Sequence, residues 1–197
     1  MPYLILLMSL SFSALSFANT IEIGSTLPSV EINNKGQVAI VGEKLVYQPW
    51  LSHKELGQQL AYVQHLAGRV GVKELNKNLS DAIVAQQVPS DLLQSTIIIN
   101  SDDSAFGTAW LISSEIKSNK KTYPSSTFIN DGKGTAADAW GLPRKSVTSL
   151  IVAASGEVLF RKDGATTDED IATVIAILKN NLPKFDIETT ILDNIGD

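Results

Sequence analysis

Hydrophobic and polar residues follow two different periods along this chain, and each period predicts an element. Ser29-Val30-Glu31-Ile32 alternates in the way that strand residues do, and Val38 to Val41 is apolar again after a polar interval. This pattern is typical of a β-hairpin that turns at Asn33-Asn34-Lys35-Gly36. A further strand is predicted over Leu45–Tyr47, and it ends before Pro49, which cannot donate to a strand ladder.

The middle of the chain predicts two neighbouring strands joined by a helix. The run Ala61–Leu66 carries little charge, which favours a central strand over an exposed edge. After Gly68, apolar residues recur at helical spacing, which predicts a helix over Val70–Ala85 with Asn76 on its surface. The β-branched run Thr96–Ile99 is typical of a strand buried on both faces. We expect the two strands to be adjacent and parallel.

The second half of the chain predicts two further helices and three short strands. A stripe formed by Ala109, Ile112 and Ile116 indicates one helix, and Thr167 with Asp170 three positions on indicates the start of the last one. The predicted strands are Thr127–Ile129, Leu150–Val152 and Val158–Phe160, of which the last two form an antiparallel hairpin. The element order therefore predicts an α/β fold with a mixed central β-sheet, helices on both faces and an N-terminal β-hairpin.

Composition and charge narrow the possible functions. A net charge of −5 and a pI near 5.0 argue against nucleic-acid binding and against anionic membranes. The chain contains no cysteine. Because the thiolate is the nucleophile of disulfide exchange, thiol–disulfide oxidoreductase and thiol peroxidase activities are excluded. No pattern indicates a bound cofactor, and none is predicted.

Residues 1–18 are typical of a secretory signal peptide. Leu4–Leu10 is almost continuously apolar, and Ser16-Phe17-Ala18 supplies small residues at the −3 and −1 positions of a cleavage site. A membrane anchor is the alternative, but this apolar segment falls short of the roughly 20 residues that span a bilayer. We expect cleavage after Ala18, a periplasmic protein with no stable membrane anchor, one domain over residues 19–182 and an acidic tail over residues 183–197.

The predicted strand and turn that begin at Val147 carry a resemblance to known proteins. Val147–Val152, followed by Ser155-Gly156-Glu157-Val158, is similar to the segment in which peroxiredoxin-related, thioredoxin-like proteins have a cis-proline, a threonine, an apolar strand and an Asp-x-x-Gly turn. Val147 occupies the proline position, and we expect its peptide bond to be trans because a non-proline cis bond is costly. Val63–Arg69 lies where a strand would lead into Cys-x-x-Cys. The resemblance implies the thioredoxin-like fold, without either half of its redox site.

A longer series of motifs runs through most of the chain. The motifs are His65–Arg69, Lys73–Asn76, Asn100–Asp103, Gly107-Thr108 and Ala139–Leu142. In order and spacing they resemble the bacterial YtfJ family, whose members are exported, thioredoxin-like and of unestablished function. The chain departs from the family pattern at Ser104, Ser125 and Ala153, where Ala, Trp and Asp are expected. The resemblance implies a fold and a compartment but no reaction.

Polar side chains follow the two predicted central strands at the point where each strand ends. His65 and Arg69 leave the first strand, and Asp102 and Asp103 follow the second. In an open sheet, ligands bind beyond the carboxyl ends of the strands, so we expect these groups to converge. The N-terminus of the predicted helix, with Lys73 on its first turn, would favour an anion there. These five residues are the candidate binding residues, and one aspartate is expected to contact Arg69.

Two interpretations of this cluster are open. Arg69 and an aspartate form either a structural ion pair in place of the missing thiols or part of a binding site. His65 is either a hydrogen-bonded histidine of the core or a member of that site. In the first function class, a non-catalytic module binds a protein, a peptide or a small anion at this face. In the second, a cysteine-free enzyme uses His65 and an aspartate as an acid–base pair, or His65, Asp102 and Asp103 as metal ligands. Spacing of the zinc type is absent, and no metal is predicted.

Overall fold

The computed structural model describes residues 21–105, 107 and 109–183. Its strands are β1 (Glu31–Val41), β2 (Lys44–Leu51), β3 (Leu60–Ala67), β4 (Leu93–Asn100), β5 (Thr127–Asp131), β6 (Val147–Val152) and β7 (Val158–Asp163). Its α-helices are α1 (Ser52–Glu55), α2 (Lys77–Val84), α3 (Ala109–Thr122), α4 (Thr135–Trp140) and α5 (Asp168–Asn181). Two 3-10 turns, Val72–Asn76 and Ser101–Asp103, follow β3 and β4. The predicted leader and all of the predicted tail except Pro183 lie outside the described residues.

The strands form one mixed sheet in which β3 and β4 are central. The strand order is β2-β1-β5-β4-β3-β6-β7. β3 is parallel to β4, and β4 is parallel to β5, whereas β6 is antiparallel to both β3 and β7. The predicted parallel neighbours are therefore confirmed, with Leu66 of β3 opposite Ile99 of β4. Because parallel strands end at the same edge of a sheet, β3, β4 and β5 bring their last residues to one end of the molecule.

Helices cover both faces of the sheet, as the sequence predicts. α2 and α5 pack against one face through Leu79, Ile83, Val174 and Leu178, which surround Tyr62 of β3. α3 covers the outer part of that face, where Ile112 and Ile116 contact Phe128 of β5. α4 lies on the opposite face and adds Ala136, Ala137 and Trp140 to the largest buried cluster. The sheet is thus buried on both sides, which explains the uncharged runs in β3 and β4.

The N-terminal hairpin is present, but its predicted turn is wrong. β1 continues through Asn33–Gly36 as a single strand with an irregular register, and the chain reverses instead at Gly42-Glu43. Lys35 and Gly36 have φ values of 70° and 87°. Residues with left-handed backbone angles occur in β-bulges as well as in turns, and here they form a bulge within β1. The hairpin pairs β1 with β2, so the predicted third strand is the hairpin's second arm. This strand does not end before Pro49 as predicted but continues to Leu51, because β2 is an edge strand, where a proline is tolerated.

The helix predicted over Val70–Ala85 begins later than expected. Gly71 is left-handed, with φ of 83°, and the chain then forms the 3-10 turn Val72–Asn76 before α2 begins at Lys77. Val70 therefore belongs to a loop, Gly68–Gly71, and not to a helix. This correction matters for the candidate site, because α2 does not direct its N-terminus at the end of β3.

α4 is an element that the sequence pattern did not predict. Its six residues are too few to show a helical period. The helix depends instead on a contact from the strand before it, since a carboxylate oxygen of Asp131 accepts the N–H of Ala136 at 2.8 Å. Trp140 is fully buried at the end of α4, and its indole N–H donates to the Pro28 carbonyl at 2.8 Å.

The C-terminal elements match the sequence-based expectations. β6 and β7 form the predicted antiparallel hairpin. α5 begins with a capping box in which Thr167 and Asp170 each accept the other's backbone N–H. No cis peptide bond occurs within the described residues, so Val147 is trans as expected. No helix in that part of the chain is long and apolar enough to cross a membrane.

Candidate functional site

Arg69 and Asp103 meet at the end of the sheet where β3 and β4 finish. The Arg69 Nε donates to Asp103 Oδ1 at 3.0 Å, and the aspartate is buried while the arginine is one-third exposed. The backbone N–H of Lys145, just before β6, donates to the other oxygen of the same carboxylate. Burial alone would raise the pKa of Asp103, but these donors outweigh it and hold that pKa below its usual range. Asp103 is therefore a buried carboxylate that links Arg69, just after β3, to Lys145, just before β6.

Asp102 and Asp103 lie in the 3-10 turn that follows β4, and they differ in burial. The side-chain oxygen of Asn100 accepts the N–H groups of Asp102 and Asp103 at 3.1 and 3.2 Å and so caps this turn. Asp102 is exposed, and its carboxylate lies 3.4 Å from a guanidinium nitrogen of Arg144. One inward and one outward aspartate were predicted, but from a continuing strand and not from a capped turn.

The loop Gly68–Gly71 is fixed closely against its neighbours. A Cβ added at Gly68 would lie 2.8 Å from Ile112 Cδ1 and 2.9 Å from the Asn100 carbonyl oxygen, so only glycine fits there. The Gly68 N–H donates to that carbonyl at 2.9 Å. Lys73, just after the loop, pairs with Glu115 of α3 at 2.6 Å. The loop is thereby held between β4 and α3, and Lys73 contacts α3 instead of facing Arg69.

The expected attraction for an anion at a helix N-terminus is not supported by this geometry. The segment after Gly71 is a five-residue 3-10 turn, and its N-cap makes no side-chain hydrogen bond. Three of the cations at this end are already paired: Arg69 with Asp103, Lys73 with Glu115, and Arg144 with Asp102. An incoming anion would have to displace a carboxylate in each case.

His65 is buried on the face of the sheet that α4 covers. Its exposure is 2%. Neither ring nitrogen has a hydrogen-bond partner among the described residues. Burial lowers the pKa of His65 from 6.5 to about 4, although the carboxylates of Asp131, Asp103 and Asp163 act in the opposite direction. A general base needs access to its substrate and a pKa near the working pH, so His65 is poorly suited to acid–base catalysis.

The described residues offer no metal centre. No group of three or more His, Asp or Glu side chains among them is arranged to hold a metal ion. A depression of about 290 Å³ lies instead at the opposite end of the sheet, lined by Leu27, His53, Leu56, Val152 and Ser155 among others. Its lining contains no carboxylate, Lys or Arg side chain, so it offers little charge for recognition or catalysis.

Comparison with known proteins places this chain among bacterial sequences. Residues 21–181 match the family model described as "Bacterial protein of unknown function (YtfJ_HI0045)". The chain belongs to this family. An uncharacterized protein of Haemophilus influenzae is 36% identical over 173 residues, covering 88% of this chain and 93% of that protein. The uncharacterized protein YtfJ of Escherichia coli is 35% identical over 165 residues, covering 84% and 89% of the two chains.

Solved structures similar to this YtfJ-family chain have the thioredoxin-like fold. The thioredoxin domain of a thiol-disulfide oxidoreductase from Bacteroides vulgatus has a TM-score of 0.53 at 9% identity, covering 80% of this chain and 98% of that one. The reduced 2-Cys peroxiredoxin of Plasmodium vivax has a TM-score of 0.51 at 11% identity, covering 80% and 97%. At such identities the likeness establishes the fold alone, which is the fold that the sequence predicts.

Asn76, one of the family motif residues, is buried and not on the helix surface as predicted. Its side-chain nitrogen donates to Gln64 at 3.1 Å and to Ser149 at 3.0 Å. The hydroxyls of Tyr62 and Ser80 lie 3.1 Å apart in the same network. A 3-10 turn has three residues per turn instead of 3.6, which rotates Asn76 toward the sheet. The network fixes this turn, and therefore the loop before it, onto β3 and β6.

Two apolar side chains that the site prediction did not include are exposed at this end of the molecule. Val70, in the Gly68–Gly71 loop, is 94% exposed, and Trp110, at the start of α3, is 68% exposed. Their apolar character alone could not reveal this, because the helical pattern assigned both to helices. Arg144 and Lys145 were also missed, although they precede the strand that the resemblance aligns with the second half of a redox site.

Proposed function

We propose that this protein is an exported, non-catalytic thioredoxin-like domain that binds a partner protein through the end of the sheet where β3 and β4 finish. The observation that carries the proposal is that Val70 and Trp110 are exposed, although the loop and the helix that carry them are held by their neighbours. Large aromatic residues with apolar neighbours are the usual centres of protein interfaces. We call this surface, formed by the Gly68–Gly71 loop and the first turn of α3, the loop face.

The rigidity of the loop face supports a binding role. Gly68 packs against Ile112, and Lys73 pairs with Glu115. Asn76 donates to Gln64 and Ser149 and so anchors the following 3-10 turn. A preorganised loop loses little conformational entropy when a partner binds. Burying Val70 against a partner would also remove apolar surface from water, at roughly 25 cal/mol per Å².

The charges at this end favour a protein over a small anion. Arg69, Lys73 and Arg144 each contact a carboxylate, so none is free to receive an anionic ligand. The same pairs place charge of both signs at this end of the sheet. Charged residues of this kind are typical of the rim of a protein interface.

Export is part of the proposal and rests on the sequence. The apolar run Leu4–Leu10 and the small residues Ser16 and Ala18 support cleavage after Ala18 and a periplasmic location. Sequencing the N-terminus of protein recovered from bacterial periplasm tests this directly. Asn19 is the expected first residue, and an intact Met1 in the membrane or cytoplasmic fraction would contradict it.

Site-specific photo-crosslinking tests the binding role. A benzophenone amino acid replaces Val70 in the full chain, and cells are irradiated before fractionation. We expect one major adduct with a partner protein. The Trp110→Ser change should reduce that adduct roughly tenfold, because truncating an interface aromatic commonly costs more than 1 kcal/mol of binding.

The matched control places the same probe at Val84, which is 67% exposed at the end of α2. It should give no specific adduct. Equal crosslinking from positions 70 and 84, or adducts insensitive to Trp110→Ser, would rule out the loop face as the binding surface. Trp110 is exposed, so its replacement should change the free energy of unfolding by less than about 0.5 kcal/mol.

A further inference from the structure

β2 lies at one edge of the sheet, where only one of its two sides is paired. The two-residue turn Gly42-Glu43 joins it to β1 and places Val41 opposite Lys44. In such a hairpin the residues that flank the turn hydrogen-bond to each other, and this bonding alternates along the strands. Every second residue from Lys44 onward therefore directs its backbone groups to β1, and the residues between them direct theirs outward. The outward residues are Leu45, Tyr47 and Pro49.

The outward groups of β2 have no partner among the described residues. No hydrogen bond joins the backbone of Leu45 or Tyr47 on that side to any of them. Pro49 has no N–H, so the run of free donors stops there. An unpaired edge of this kind can pair with a strand of another chain.

β7, at the other edge of the sheet, is better protected. The Gly24 N–H donates to the Val158 carbonyl at 2.8 Å, and the Val158 N–H donates to the Ser25 carbonyl at 2.9 Å. β7 also ends in three consecutive charged residues, which discourage pairing with another strand. β2 has one charged side chain, Lys44, at its first position. β2 is therefore the edge at which a further strand can be added.

Apolar side chains lie on both faces of this edge. Val46 is 45% exposed, and its neighbour on β1 is Ala39. Leu45 and Tyr47 point to the other face, where they are half-buried against the cluster that α3 forms with Val38. A strand added beside β2 would cover Val46 on one face and Leu45 and Tyr47 on the other, and would remove that apolar surface from water.

We infer that β2 pairs with β2 of a second copy of this chain, antiparallel about a two-fold axis at Val46. Leu45 of each copy then lies opposite Tyr47 of the other. Each of these facing pairs exchanges two N–H···O bonds, because all four residues direct their backbone groups outward. Val46 faces its own counterpart, and Lys44 faces Gln48 of the second copy. The two sheets thus continue into one another across the β2 edge.

Self-complementarity favours a second copy over a strand of another protein. Moving the two-fold axis from Val46 to Tyr47 would place Leu45 opposite Pro49, which has no N–H to donate. About Val46, each outward N–H of the paired stretch meets a carbonyl, and no like charges face each other. A two-fold interface requires one surface to fit itself, whereas a strand of another protein would require nothing of the kind. The loop face, at the ends of β3 and β4, is not part of this contact.

Disulfide trapping tests the pairing, because a chain without cysteine reports only the thiol that is introduced. Two facing, non-hydrogen-bonded residues have Cα atoms about 4.5 Å apart, which suits a disulfide. Under copper–phenanthroline oxidation, Val46→Cys in the full chain should form a covalent dimer at least about tenfold faster than Val41→Cys. Val41 is the matched control because it is 64% exposed on the same hairpin but lies on β1, one strand away from the contact. Equal rates would overturn the inference.

Charge substitution at Val46 tests the contact without a covalent bond. The wild-type mass from light scattering should rise toward twice the monomer value as the protein concentration increases. Val46→Glu and Val46→Lys should each weaken this association at least about tenfold, because like charges then face each other. A mixture of the two variants should dimerise again. Val41→Glu is the control and should associate as the wild type does.

The wild type decides the matter even if a variant fails to fold. A wild type that stays monomeric at every concentration would overturn the pairing. If the monomer's Leu45 and Tyr47 amides also resist hydrogen exchange, a strand of the same chain covers the edge. Recovery of Val46→Cys in a disulfide with another protein, in place of the symmetric dimer, would assign the edge to that protein and equally overturn the second copy.

Discussion

Asp103 and Arg69 form an ion pair whose two members lie in different surroundings. The carboxylate is 4% exposed, whereas the guanidinium side chain is 33% exposed. Water can still solvate Arg69 if the contact is lost, but Asp103 would keep a buried charge with the Lys145 N–H as its remaining described donor. Loss of the ion pair therefore costs more free energy at the aspartate, whose charge stays buried, than at the arginine.

Replacing Arg69 with alanine should lower the free energy of unfolding by about 2 kcal/mol at pH 7, because a buried carboxylate loses its charged partner. Urea unfolding measures this. The difference from the wild type should shrink as the pH falls below the usual carboxyl range, since a protonated Asp103 no longer needs the guanidinium.

Arg144→Ala is the matched control for that change. Its partner Asp102 is exposed, so the cost should stay within about 0.5 kcal/mol. If Arg69→Ala is equally mild and the position 70 adduct disappears, Arg69 acts in binding and not in stability. Similar small effects of both changes on stability and on binding would contradict a special role for Arg69.

The sequence predicted which residues lie close together at this site. It did not predict their individual contacts and burial as well. Arg69 and Asp103 could be paired because each follows a central strand, and parallel strands end together. Lys73 could not be placed, because its contact with Glu115 depends on where α3 packs. His65 was assigned either to the same edge of the sheet or to the core. That it is buried without a hydrogen-bond partner among the described residues depends on how α4 packs, and α4 left no pattern in the sequence.

Among the elements, β1 shows most clearly that one short segment can be compatible with either a turn or a bulge. The residues Asn33–Gly36 have the composition of a turn, yet they form a bulge in the middle of a strand. The actual turn at Gly42-Glu43 has only one residue of the turn-forming type. The register of β1 against β5 and β2 selects between these choices, and that register is a long-range property. By contrast, β3 and β4 were predictable because their uncharged runs suit only the centre of a sheet.

The bulge makes Gly36 a sensitive position. A Cβ there would overlap the Gln48 carbonyl oxygen, and φ is also left-handed. We expect Gly36→Ala to lower the free energy of unfolding by at least about 2 kcal/mol, from backbone strain and steric overlap together. Urea unfolding at pH 7 measures this.

Gly42→Ala separates strain from overlap. Gly42 is also left-handed, with φ of 59°, but nothing lies within 4 Å of the point that a Cβ would occupy. Strain alone should then cost about 1 kcal/mol. If Gly36→Ala and Gly42→Ala lower the free energy of unfolding equally, then β2 does not approach the bulge as closely as in the structure.

The whole molecule has the thioredoxin-like fold, and an ion pair lies at the end of the sheet where β3 and β4 finish. The Arg69–Asp103 pair and the Lys145 N–H join the exit of β3 to the entrance of β6. The family resemblance aligns this region with paired cysteines and a cis-proline. Here the junction contains an ion pair and a trans Val147. The fold thus supplies a stable frame for the loop face without any redox-active sulfur.

The absence of cysteine leads to the last prediction. In an insulin-reduction assay with dithiothreitol, the protein should match the buffer rate, because no thiolate is available to attack a disulfide. Its urea midpoint should also be the same in reducing and oxidising buffers, since no disulfide can form or break. A thioredoxin run in parallel should accelerate insulin reduction and so validates the assay. Turnover by this chain that a point mutation at the loop face abolishes would show that the fold supports a redox reaction by some group other than sulfur, and would overturn the non-catalytic proposal.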